Sequence, residues 1–172
     1  MKILFTALFL TLVFAAAVIA QAPESIEAKK AEMKKLDKMA GQWKGSGWIQ
    51  MGPKRETFSG SENVQRKLDG SALLIEGKFS NPEGRVIHET LAVLTYDTAK
   101  GYRFATYLAN GMNGIYDFKI VPAGFEWGFQ IPGGTIRYTI NNDNDKWSEI
   151  GEFSKDGKIW FKTFEMTLDR VK

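Results

Sequence analysis

Gly41-Gln42-Trp43-Lys44-Gly45-Ser46-Gly47-Trp48 is the stretch whose reading decides the fold. Trp43, Gly45, Gly47, Ile49 and Met51 alternate with Gln42, Lys44, Ser46 and Gln50. At a period of two the first set shares one face of a strand. That face carries an indole followed by two residues without side chains. Such a strand can bend sharply and let another backbone come close.

Working outward, turn signals recur about every ten residues as far as Val171. They include Gly52-Pro53, Asp69-Gly70, Asn81-Pro82-Glu83-Gly84, Pro132-Gly133-Gly134 and Asp156-Gly157. This spacing predicts an all-β meander of about ten strands over 42–172, with no room for crossover helices. So many strands must protect their edges. An even count lets the last strand pair antiparallel with the first, so the expected architecture is a closed antiparallel up-and-down barrel. Upstream, Ser25 reads as a helix N-cap and Gly41 as the residue past the helix end. Ile26, Met33, Leu36 and Met39 share one side of that 21–41 segment, a thin stripe suited to covering something. Its lysines (Lys29, Lys30, Lys34, Lys35, Lys38) read as a solvated face.

Hairpin counting sets inside and outside, because opposed residues share a face. Tight turns pair Met51 with Lys54, and hence Trp43 with Glu62. They pair Leu68 with Ser71, and hence Glu62 with Gly77. They pair Ser80 with Arg85, and hence Gly77 with His88. Further counting predicts the pairs Tyr96–Tyr102, Leu108–Tyr116, Ile120–Phe125, Ile131–Ile136, Tyr138–Glu149 and Phe153–Trp160. One face then collects mostly large apolar residues, from Trp43 and Phe58 through Phe104, Trp127 and Trp147 to Trp160, Phe164 and Leu168. A one-residue slip would invert it.

Residues 1–20 read as a secretory signal peptide: Lys2, an uncharged apolar run from Ile3 to Ile19, and small residues before Gln21. A periplasmic or secreted location is expected, with no transmembrane span after cleavage. The chain has no cysteine, which fits an exported protein independent of oxidation. Without Lys2 it carries 22 basic and 20 acidic residues. Their signs are interleaved, and nothing suggests nucleic acid.

The inward face also holds polar groups whose unpaired burial is unfavourable. Glu62, His88, Glu149 and Lys162 fall on it with Tyr102, Tyr116 and Tyr138. The row Trp43, Glu62, Gly77, His88 crosses four strands, and Gly77 leaves space in which carboxyl and imidazole could meet. The expected ligand-binding set is Trp43, Glu62, His88, Tyr102, Tyr116, Trp127, Tyr138 and Glu149. Arg137 is predicted outward. One histidine, no cysteine and scattered carboxylates give no metal site. No nucleophile elbow appears, and Gly45-Ser46-Gly47 leads along a strand, so it is no phosphate loop.

Gly41-Gln42-Trp43-Lys44-Gly45-Ser46-Gly47 resembles the opening of lipocalin-like barrels, and the ten-strand count is similar to the nitrobindin and fatty-acid-binding branch of the calycins. Lys35-Leu36-Asp37, Leu68-Asp69-Gly70, Tyr96-Asp97, Ile131-Pro132-Gly133-Gly134 and Glu165-Met166-Thr167-Leu168 resemble a family of uncharacterised bacterial lipocalin-like barrels. The resemblance implies the barrel fold over nearly all of the mature chain. Nitrobindins hold haem through a histidine late in the barrel. This chain has none after His88, so no cofactor is expected, haem included. The Arg-x-Tyr carboxylate motif of fatty-acid binders is absent from the last strand.

The expected function is non-enzymatic: a small apolar or amphipathic molecule held inside the barrel, with Glu62 and His88 fixing its orientation. Two rivals are a structural or interaction protein with a filled core, and a hydrolase or isomerase using Glu62 and His88.

Overall fold

A computed structural model describes residues 23–172. The signal peptide expected over 1–20 lies outside the described residues. Helix α1 (Pro23–Lys34) and a 3-10 turn (Asp37–Met39) precede ten strands: β1 (Gly41–Met51), β2 (Lys54–Lys67), β3 (Ala72–Ser80), β4 (Val86–Asp97), β5 (Gly101–Leu108), β6 (Asn113–Val121), β7 (Gly124–Ile131), β8 (Gly134–Asp143), β9 (Lys146–Ser154) and β10 (Phe161–Arg170). Each strand pairs antiparallel with the next, and β1 pairs with β10 to close the barrel. The helix begins at Pro23, where a fixed φ suits the first turn, so Ser25 lies inside it and not at its N-cap. It ends at Lys34, and Gly41 is already the first residue of β1.

The bareness of β1 serves closure. A Cβ at Gly45 would strike the Thr167 carbonyl of β10, and one at Gly47 would strike the Glu165 carbonyl. The backbone that approaches β1 is therefore that of the last strand.

The helix and the 3-10 turn plug one end of the barrel. Met33, Leu36 and Met39 are fully buried and join Trp43, Val64, Leu73, Leu94, Trp147 and Leu168 in one core. Trp43 donates its indole N–H to the Met39 carbonyl at 2.9 Å. Arg170 stacks 4.1 Å from the Trp43 ring centroid and donates to the carbonyls of Ala40 (2.7 Å) and Lys38 (2.9 Å). Tyr102 donates to the Glu32 carboxylate at 2.9 Å. The lysine run is more than a solvated face. Lys30 reaches Asp69 at 2.6 Å and Lys38 reaches Asp143 at 2.7 Å, tying the plug to the rim.

The register of β1, β2 and β3 is as counted: Trp43 opposes Glu62, and Glu62 opposes Gly77. So are Tyr96–Tyr102 and Ile120–Phe125. Other hairpins slide by an even number of residues, which moves a partner along the axis but keeps its face. Gly77 opposes Thr90, and His88 opposes Phe79, because β3 and β4 carry an irregularity at Phe79–Ser80. Tyr116 opposes Phe104, not Leu108. Ile136 opposes Phe129, and Tyr138 opposes Gly151, leaving Glu149 opposite Ile140. One correction changes face. A bulge between Lys162 and Phe164 inverts the start of β10. Trp160 and Lys162 are therefore outside, where Trp160 covers the Arg137 guanidinium at 3.9 Å and Lys162 pairs with Glu165 at 3.4 Å. Arg137 is outward as expected, paired with Glu152 at 2.7 Å.

Candidate ligand cavity

The plug fills one end of the lumen and leaves the other open. A cavity of about 330 Å³ runs from Met39, at the floor, to Ile49, Glu56, Ile87, Leu108 and Met112 at the mouth. Alternation along each strand supplies its wall, since every second residue faces inward. The rings form a nearly continuous belt. Trp127 stacks on Tyr138 at 4.4 Å and meets Phe104 edge-on at 5.1 Å. Tyr116 lies 5.6 Å from Trp127, and Phe164 lies 5.6 Å from Tyr138 and 5.7 Å from Phe58.

Two carboxyl groups face this apolar space. Glu62 folds over Gly77, where an added Cβ would lie 2.6 Å from Oε1 and 2.8 Å from Oε2. The missing side chain at Gly77 thus makes room for the Glu62 carboxyl alone. Glu62 Oε2 has no accessible surface and no hydrogen-bond partner. Burial, and secondarily the Glu149 charge, push the Glu62 carboxyl up to about 8. Glu149 is 8% exposed and accepts a hydrogen bond from the Trp147 indole at 3.3 Å. Burial raises it to about 7, against the opposing pull of the Trp147 and Trp127 indoles. Two such groups in one low-dielectric space titrate together, and the pair retains a proton near neutrality.

Of the eight residues expected to meet a ligand, Glu62, His88, Tyr116, Trp127, Tyr138 and Glu149 line the cavity. Trp43 and Tyr102 do not. Both point inward but belong to the plugged end, where their polar atoms hold the 3-10 turn and α1. His88 lies at the mouth, exposed, with its ring beside the Phe79 ring at 6.2 Å and its Nε2 hydrogen-bonded to the Thr90 hydroxyl. The lining residues packed against the ring desolvate it and lower its pKa. The slide of β4 removes His88 from the row, and Glu62 and His88 form no pair. An acid/base site built on both is therefore not assembled. Sequence reasoning gave the N-terminal segment a covering role but did not locate it at one end of the barrel. It also placed Trp147 inside without seeing its bond to Glu149, a contact between residues two apart on the same face that alternation could have suggested. Among the described residues no cluster of three or more metal-ligating side chains occurs. No helix among them is long and apolar enough to cross a membrane.

A family model described as "Protein of unknown function (DUF1579)" matches residues 28–122, more than half of the chain. The chain belongs to the DUF1579 family. The match spans part of α1 through β6, which includes the buried plug residues Met33, Leu36 and Met39 as well as Glu62, Gly77 and His88. No curated protein matches this DUF1579 member in sequence. Among solved structures it is similar to Rv2717c from M. tuberculosis, with a TM-score of 0.62 at 12% identity, over 82% of this chain and 98% of that one. That likeness is one of fold. A second similar structure is titled "Structure of EF1p2_mFAP2b bound to DFHBI", with a TM-score of 0.44 at 12% identity, over 81% of this chain and 99% of that one.

Proposed function

We propose that this DUF1579 barrel binds a small molecule in its lumen and does so outside the cytoplasm. The observation that carries the reading is a cavity of about 330 Å³ walled by aromatic side chains, with the carboxyl-bearing side chains Glu62 and Glu149 in its lining. Ligand pockets have this size and composition: mostly apolar walls and a few placed polar groups. A structural barrel gains nothing from leaving that volume unfilled, since packing it would add dispersion contacts. Export is supported by the apolar run of residues 3–19. N-terminal sequencing of the protein recovered from a periplasmic or secreted fraction should begin at Gln21.

Binding is tested with the neutral dye Nile red. Saturable uptake at one dye per chain, with blue-shifted emission, is expected of the native protein. Thr106→Trp, a substitution at a buried lining position, should abolish uptake while leaving the β-sheet circular dichroism intact. Undiminished uptake by a folded Thr106→Trp protein would place the dye on the outer wall and end the proposal.

A further inference from the structure

We propose that the lumen selects protonated amines carrying an apolar body, over neutral or anionic molecules of the same size. This rests on the reading of the lumen as a binding site and names the chemistry of its ligand.

The first ground is the charge inventory of the wall. The lining residues include Glu56, Glu62 and Glu149 and not one lysine or arginine. Arg85, at the rim, is engaged by Glu56 at 3.5 Å. Arg137, the basic residue of the adjoining strand β8, is turned outward to Glu152. A carboxylate or phosphate brought inside would lose its hydration and meet only like charges.

The second ground is the unsatisfied acceptor. Glu62 Oε2 is buried and unpartnered, and Glu149 has indole donors but no cation. An ammonium group in the cavity carries N–H donors and the opposite charge, so beside the Glu62 and Glu149 side chains that line it, it favours ionisation of the pair together. An alcohol could supply one donor and no charge. A quaternary ammonium supplies charge and no donor.

The third ground is the belt of rings. The rings of Tyr116, Trp127, Tyr138 and Phe164 line the same space, and aromatic rings attract cations as well as apolar surface. Cation recognition by rings alone would accept a quaternary group. The two carboxyl groups in the lining, both hydrogen-bond acceptors, argue for a primary or secondary amine.

The titratable groups facing Glu62 and Glu149 are few. Strand β2 also contributes Glu56, β4 contributes His88, β6 contributes Tyr116 and β8 contributes Tyr138. The cavity linings of the other strands and of the 3-10 turn contribute none. Burial lowers the His88 pKa at the mouth and raises Tyr138 to about 12. An alkyl amine stays protonated over this range, as a lysine side chain does with its pKa of about 10.4. Between pH 5 and 8 the carboxyl pair changes charge deep in the lumen, and amine affinity should rise with pH.

The test uses four probes of one chain length on the full mature protein: octylamine, octan-1-ol, octanoate and trimethyloctylammonium. Binding is read by displacement of Nile red and by quenching of tryptophan emission, since Trp127 and Trp147 line the cavity. Octylamine should bind at least tenfold more tightly than each of the others at pH 8, and its advantage over octanol should shrink at pH 5. Glu62→Gln and Glu149→Gln should each remove most of that advantage while leaving octanol affinity within about twofold, which also certifies the variant as folded. Equal affinity for octanol and octylamine would refute the amine selectivity and leave lumen binding standing. Preference for octanoate would refute it outright. Failure of all four probes, together with failure of Nile red, would remove the binding site itself.

Discussion

Glu62→Gln isolates the energetic weight of the buried carboxyl. The ordinary glutamate value is 4.5, and burial in the lumen raises Glu62 to about 8. The folded protein therefore keeps a proton that the unfolded chain has released. Stability from this group is intact below pH 4.5 and is lost as pH rises through 8. The limiting slope is about 1.4 kcal/mol per pH unit, a ceiling near 5 kcal/mol over that window. The half-buried surface of Glu62 faces a cavity large enough for water, which lowers the net effect to about 2–3 kcal/mol. Glutamine has the same shape and no charge. The variant should match the native protein within about 0.5 kcal/mol at pH 4.5 and exceed it by about 2–3 kcal/mol at pH 9. In urea, at a slope of roughly 2 kcal/mol per molar, that is a midpoint increase of about 1 M or more. Parallel pH profiles for the two proteins, or a variant less stable at pH 9, would refute the assignment of Glu62 to an apolar lumen.

Other substitutions probe the surrounding structure. Gly77→Ala should displace the Glu62 carboxyl and destabilise by about 1–2 kcal/mol, and pairing it with Glu62→Ala should recover part of that loss in a double-mutant cycle measured by urea unfolding. Leu36→Ala should lower stability by about 2–5 kcal/mol and speed amide exchange in the plug, because Leu36 is fully buried against the barrel core. Tyr102→Phe, which removes the bonds to Glu32, should cost about 1 kcal/mol by thermal unfolding and leave Nile red affinity unchanged. His88→Ala at the open mouth should shift stability by less than about 1 kcal/mol and weaken octylamine far less than Glu62→Gln does.

The fold was legible because two signals agreed: turn residues at even spacing, and alternation that puts large side chains on one face. Even-numbered slips in loop length left that alternation untouched, which is why Tyr116, Trp127, Tyr138 and Glu149 face inward despite changed partners. The same slips hid the axial position of each residue. His88 moved two residues toward the mouth and lost its place beside Gly77, since nothing local in Asn81-Pro82-Glu83-Gly84 announces the irregularity at Phe79–Ser80. The bulge near Thr163 was equally silent and turned Trp160 and Lys162 outward. The roles of Trp43 and Tyr102 depended on where α1 docks, a tertiary fact that its thin apolar stripe could suggest but not locate.

The most direct test is a titration of the two side-chain carboxyl carbons, Glu62 and Glu149, by ¹³C NMR on the ligand-free protein. At least one should titrate with a midpoint above 6.5, and octylamine should drive that midpoint downward. Midpoints near 4.5 for both, unmoved by the amine, would contradict an aromatic lumen holding a protonated acid.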